Sequence, residues 1–171
     1  MRTRSLSERK GDWFFVLVFL GFALTSFAVD VPMLFGIGSV KDQLAASYAD
    51  ADPLFLSPPP FLHVAMAVSG LVWGPLYLYF VWGFLRGRNE IRVPALMYAG
   101  ALTLAMLMII AEELWSPVPG WRTPRPGKFL ALNLPYLVVP VLLAIRMRHP
   151  FPFGGGIVAA EPMLRRAAER P

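Results

Sequence analysis

Residues 13–29, WFFVLVFLGFALTSFAV, form an unbroken run of seventeen uncharged residues, and their reading decides the fold. As a helix this run covers about 26 Å, close to the roughly 30 Å hydrocarbon core of a bilayer. Three later runs have the same character: Phe61 to Leu85, Val93 to Ala111 and Phe129 to Ile145. The chain has 171 residues and is 56% apolar, which leaves a water-soluble globule of this size too little polar surface to cover itself. Inside lipid only helices and closed barrels satisfy every backbone polar group, and runs of this length fit helices. The expected fold is therefore all-α, an integral membrane four-helix transmembrane bundle. The first run is too long for a signal peptide and lacks a small-residue cleavage site, so no removable leader is expected.

Basic residues fix an expected orientation. Arg2, Arg4, Arg9 and Lys10 precede the first span, Arg86, Arg88 and Arg92 fill the second connection, and Arg146 and Arg148 follow the fourth span. With four spans all three sets fall on one side, so the N and C termini should both be cytoplasmic. This topology, together with Arg165, Arg166 and Arg170 in the tail, absorbs the formal charge of +5 and leaves no nucleic-acid patch. The chain has no cysteine, which excludes disulfides, thiolate metal sites and cysteine nucleophiles. His63 and His149 fall on opposite sides and no metal-binding spacing occurs, so neither a metal nor any other cofactor is expected.

One membrane domain over residues 11–148 and a poorly ordered tail over 149–171 are expected, the tail because FPFGGG is followed by scattered charges. The first outer connection, roughly residues 38–60, carries Lys41, Asp42, Asp50 and Asp52 and could hold a short helix from Val40 to Tyr48. Its SPPP at 57–60 sets the approach to the second span. The second outer connection, LWSPVPGWRTPRPGK, should lie along the membrane interface. Pro32, Pro75, Pro135 and Pro140 fall within spans, where each removes a backbone donor and bends its helix; such kinks either open a cavity or are simply tolerated by membrane helices.

Asp30 is the acid that stands out. It lies 17 residues after Trp13, in the outer half of the membrane, where an unpaired carboxylate costs a few kcal/mol. It should face the bundle, carry a proton or have a partner. Asp52 in the returning connection and Glu112 and Glu113 near the end of the third span reach the same level. Two carboxylates in one low-dielectric pocket do not both ionise easily, an arrangement suited to proton delivery or to capture of an amphiphilic cation. The glutamates could equally be interfacial and hydrated.

Ser69, Trp73 and Tyr77 recur at i, i+4 and i+8, so they share a face, and Trp73 is too deep for the interfacial belt that Trp13, Trp82, Trp115 and Trp121 fit. An aromatic face opposite a carboxylate suits a cation, although aromatic stripes also simply pack. Asn133 and Tyr136 at i, i+3 give the fourth span a polar face, with Asn133 either a site residue or an interhelical hydrogen bond.

Several segments carry a family resemblance: SFAVDVPMLFG around Asp30, YADADPLFLSPPPF, IRVPALMY at 91–98, LPYLVVP at 134–140, and WGPLYLYFVWGFLRGR from Trp73. Over residues 11–146 the chain resembles the EXPERA domain family, shared by the sigma-2 receptor and the emopamil-binding protein, a sterol delta-8 to delta-7 isomerase. The resemblance implies a four-helix membrane bundle with a lipid-accessible pocket for a sterol-like or isoprenoid lipid or for cationic amphiphilic amines. It implies that Asp30 meets the ligand amine, that Asp52 supports it, and that Asn133 lines the pocket. It also implies a homodimer. Arginine outnumbers lysine 13 to 3, an association with GC-rich bacterial genomes, so the expected location is a bacterial inner membrane or, in a eukaryote, the endoplasmic reticulum. Two positions depart from the isomerase pattern: a histidine expected one turn before the first acid is Ser26, and a glutamate expected about nine residues before Pro75 is Met66. The leading expectation is thus a lipid or amphiphile binder using Asp30, Asp52, Ser69, Trp73, Tyr77, Asn133 and Tyr136. The alternative is an isomerase or cyclase working through a carbocation, with Asp30 and Glu112 as its catalytic acids.

Overall fold

The computed structural model describes residues 6–37, 42–43 and 50–154. Among the described residues there are helices and no strands. Four helices of the described residues are long and apolar enough to cross a membrane: Asp12–Leu34 (α1), Pro60–Arg86 (α3), Asn89–Trp115 (α4) and Pro126–Arg146 (α5). A single turn, Pro53–Leu56 (α2), lies in the first outer connection. The short helix expected over 40–48 falls largely outside the described residues.

α1 packs along α3, and α4 along α5. Rings fill the seam between the helices. Phe15 stacks on Phe84 at 5.1 Å, Phe19 lies 5.2 Å from Phe80, and Tyr98 of α4 meets Tyr77 edge-on at 5.4 Å. Where lipid is as apolar as leucine, such close packing, and not water exclusion, holds helices together. The outward surface is the inverse of a soluble protein: Leu24 and Met97 are 68% and 71% exposed, as are many apolar neighbours along the flanks. A smaller apolar cluster of Met33, Leu54, Leu62 and Met66 lies beneath the outer connections.

Two helices depart from α geometry at matching places. Ser26–Asp30 of α1 and Ser69–Trp73 of α3 are π-helical, and the two segments touch. Each ends just before a Val-Pro or Gly-Pro pair, so SFAVDVP and SGLVWGP share a serine six residues ahead of a proline. Proline offers no N–H and its ring crowds the carbonyl four residues back. The residue before it reaches one position further instead: Val31 N–H bonds to Ser26 O, and Gly74 N–H to Ser69 O. The bulges meet because Gly70 has no side chain; a Cβ there would stand 2.6 Å from Val31 Cγ2.

At the opposite end of the bundle the first residues of the expected tail are part of the fold. Phe153 is 2% exposed, edge-on to Phe84 at 5.5 Å and flanked by the guanidinium groups of Arg9 and Arg146 at 4.9 and 5.1 Å. Asn89 brackets it, accepting from Phe153 N and donating to Gly154 O. The packed part of the chain therefore runs to Gly154, beyond the boundary expected at 148; an aromatic between two prolines and a glycine run reads as loop until its partners are in place.

Candidate functional site

A cavity of about 520 Å³ lies among α1, α3, α4, α5 and the first outer connection. All seven residues expected to meet a ligand line it: Asp30, Asp52, Ser69, Trp73, Tyr77, Asn133 and Tyr136. Glu112 does not. Val64 and Met108 line it while 64% and 58% exposed, so the cavity opens on an apolar flank of the bundle.

The π segments build its acidic pole. Ser69 Oγ donates to Asp30 Oδ2 at 2.5 Å and lies 3.3 Å from Ser26 Oγ. A hydroxyl has one proton, and that of Ser69 goes to Asp30, so Ser26 donates into Ser69. The chain Ser26, Ser69, Asp30 fixes one carboxylate oxygen. Among the described residues no hydrogen bond reaches Asp30 Oδ1, which leaves it for whatever occupies the cavity.

Aromatic rings form the walls. Trp73 and Tyr77 both lie edge-on to Tyr98, whose hydroxyl donates to that of Tyr77 at 3.3 Å. Tyr136 stacks on Phe22 at 4.2 Å, with its hydroxyl 2.7 Å from Thr25 Oγ1. Ser69 and Tyr77 keep one face because the lag of the π turn from Ser69 to Trp73 offsets the advance of the four-residue α step from Trp73 to Tyr77. Asn133 Nδ2 donates to Phe129 O of its own helix at 3.1 Å, so its described hydrogen bond is intrahelical, not interhelical.

Asp52 Oδ1 caps α2 by accepting from Phe55 N at 2.9 Å. The glutamate beside it is Glu113, fully buried, whose Oε1 accepts from Leu54 N at 3.2 Å. Glu112, half-buried, is turned away. Proton transfer between Asp30 and Glu112 thus has no geometric support, because neighbouring positions on a helix point about 100° apart and the inward one is Glu113. The outer loops lock onto this point: Thr123 N donates to Glu113 O at 2.9 Å and Thr123 Oγ1 to Ala51 O at 2.6 Å. Asp50, outside the spans, receives Lys128 at 2.7 Å and Arg125 at 2.8 Å, and the Lys128 hydrogen bond above all holds its carboxyl below the usual aspartate range.

Thr25 and Met66, which line the cavity, and Tyr98, which packs edge-on to its rings, were not among the residues expected to meet a ligand, while the sequence left open which of Glu112 and Glu113 turns inward. Tyr98 had a usable signal, standing at i, i+4, i+8 with Leu102 and Met106, all of which are buried. His63 lies near the cavity rim and contacts Pro58 O at 3.4 Å. Among the described residues no three histidine or acidic side chains gather as metal ligands would.

The family model for EXPERA (EXPanded EBP superfamily) matches residues 40–147. The chain belongs to the EXPERA family. It is similar to the sigma intracellular receptor 2 of Xenopus tropicalis, 23% identical over 148 residues that cover 80% of this chain and 86% of the receptor. No solved structure matches. Family membership and four membrane-length helices make this a multi-pass membrane protein.

Proposed function

We propose that this EXPERA protein binds a sterol-like or isoprenoid lipid, or a cationic amphiphile, inside the membrane, with Asp30 as the acid that meets it. One observation carries the reading: Asp30 lines an apolar, aromatic-walled cavity with one oxygen fixed by Ser69 and the other without a hydrogen bond among the described residues. A volume of about 520 Å³ lies within the range of sites for drug-sized ligands, about 300–1,000 Å³. Trp73, Tyr77 and Tyr136 offer ring faces to a cation, Asp52 adds a second acid, and Asn133 a polar contact. Binding is favoured over isomerisation because Ser26 is buried and committed to Ser69, while Met66 puts a thioether on the cavity wall where the isomerase pattern places a carboxylate.

The ligand-binding unit is residues 11–148, and residues 149–154 pack on the end of the bundle remote from the cavity. Both termini face the cytoplasm, because Arg9, Lys10, Arg86, Arg88, Arg92, Arg146 and Arg148 gather at the end of the bundle remote from Asp30. The host is a bacterial inner membrane or the endoplasmic reticulum.

The test is binding of N,N-dimethyldodecylamine to the purified protein in lipid nanodiscs. Asp30→Asn should weaken it about tenfold or more, the scale of losing one charge-assisted contact in a dry site. Unchanged affinity would sink the reading. Mass spectrometry of lipids retained through purification, and of a delta-8 sterol incubated in deuterated water, separates binding from turnover: deuterium in a shifted product would make the protein an isomerase.

A further inference from the structure

Behind the cavity wall stands a buried acid that the proposed function does not use. Glu113 has no exposed surface, its Oε1 accepts from Leu54 N, and its Oε2 has no hydrogen-bond partner among the described residues. Asp52 stands at the same turn: it caps α2 through Phe55 N, and Leu54 N of that turn is the donor to Glu113. Asp52 is itself 9% exposed, and its one described hydrogen bond is the cap on α2. A buried oxygen with no donor is costly, and two unprotonated carboxylates side by side in this setting repel. One proton resolves both problems: carried on Glu113 Oε2, it is donated to Asp52.

We propose that Glu113 is a positioning residue for the cavity, its neutral carboxyl donating to Asp52 while tying residues 50–56 to the end of α4, so that Asp52 meets a ligand as a fixed, singly charged acceptor. Asp52 lines the cavity and Glu113 does not, so Glu113 acts only through Asp52. The inference deepens the amphiphile-binding reading and rests on it for its consequence, though not for the protonated pair itself. It implies that the cavity has two anionic poles on different elements, Asp30 on α1 and Asp52 in the connection. The ligands best suited to it carry a cationic group and a second hydrogen-bond donor, as a hydroxylated or doubly basic amphiphile does.

Infrared difference spectroscopy of ligand-free protein reads the proton directly. A buried protonated carboxyl gives a carbonyl stretch above the amide bands that shifts down in deuterated water. Wild type minus Glu113→Gln should show such a band, and Asp52→Asn should move it to higher frequency by replacing a charged acceptor with a weaker, neutral amide oxygen. A difference spectrum without the band overturns the proposal. In nanodiscs, Glu113→Gln keeps an acceptor for Leu54 and a donor for Asp52, and should hold N,N-dimethyldodecylamine within about twofold of wild type, whereas Glu113→Ala should lose about tenfold. Equal losses in both variants would also overturn it. If Asp30→Asn leaves amine binding intact while the Glu113 band is present, the amphiphile reading has failed and the protonated pair stands.

Discussion

Asp30 is held by a serine that is itself held by a serine, and the order of the two bonds predicts their effects. Ser69→Ala removes a charge-assisted hydrogen bond, worth about 1.5–3 kcal/mol, and leaves the carboxylate without its described donor. Ser26→Ala removes only the outer, neutral link, worth about 1 kcal/mol. Amine affinity should therefore fall in Ser69→Ala and change little in Ser26→Ala, as titration of both variants in nanodiscs would read; a larger loss from Ser26→Ala would reverse the chain drawn here. Asp30 was legible because a charge inside an apolar span has few reasons to be there. Ser69, Trp73 and Tyr77 were legible because their spacing survives the π turn. Glu113 was not: two adjacent glutamates at the same depth differ only in azimuth, and no pattern in the sequence says which one the helix turns inward. Asn133 shows the same limit, since one side chain suits a bond within its helix or across to another, and only the packed helix decides.

At the scale of elements, the four spans could be read from run length alone, but their irregularity could not be read from length or hydropathy. The serine six residues before a proline, present in both α1 and α3, was available as a pattern; its meaning needed the two segments to be seen in contact. Gly70 makes that contact. Alanine is ordinarily better than glycine in a helix by about 1 kcal/mol, but here the added carbon would stand 2.6 Å from Val31 Cγ2. Valine has little χ1 freedom in a helix, so it cannot step aside, and overpacking of this kind costs about 1–3 kcal/mol. Gly70→Ala should therefore lower the melting temperature of the detergent-solubilised protein despite its better propensity, and should weaken amine binding by spreading the Ser69–Asp30 pair. Val31→Ala in the same chain should restore both, because it removes the methyl that clashes. If the double variant melts no higher than Gly70→Ala alone, the close approach of the bulges is not what the glycine is there for.

Across the whole molecule, the end of the bundle remote from the cavity is tied by charge. Asp12, 2% exposed, pairs with Arg9 and accepts two hydrogen bonds from Arg146, at 2.8 and 3.1 Å. Arg9 also donates to Phe84 O, and Arg146 to Pro152 O, while Arg92 reaches the carbonyls of Met147 and His149. Asp12 thus gathers Arg9 and Arg146, which in turn hold the end of α3 and the segment at Pro152, with Phe153 closing the cluster between the two arginines. Neutralising that acid leaves guanidinium groups short of their counter-charge in a desolvated site, which for a buried pair costs about 3–5 kcal/mol. Asp12→Asn should lower the melting temperature by roughly 10 °C, taking about 2–4 °C per kcal/mol for a chain of this size. Phe153→Ala, which leaves the charges in place and removes a buried ring, belongs in the same range, about 3–5 kcal/mol. Ending the chain at Arg148 removes that ring, its bracket to Asn89 and the Pro152 carbonyl, and should cost at least as much, whereas ending it at Gly154 keeps them all. Because this cluster and the cavity occupy opposite ends of the bundle, variants here should lower stability while leaving amine affinity nearly unchanged at temperatures where they are folded. Comparable losses in affinity and melting temperature would mean that the two ends communicate, and that the ion-paired end helps to set the shape of the site.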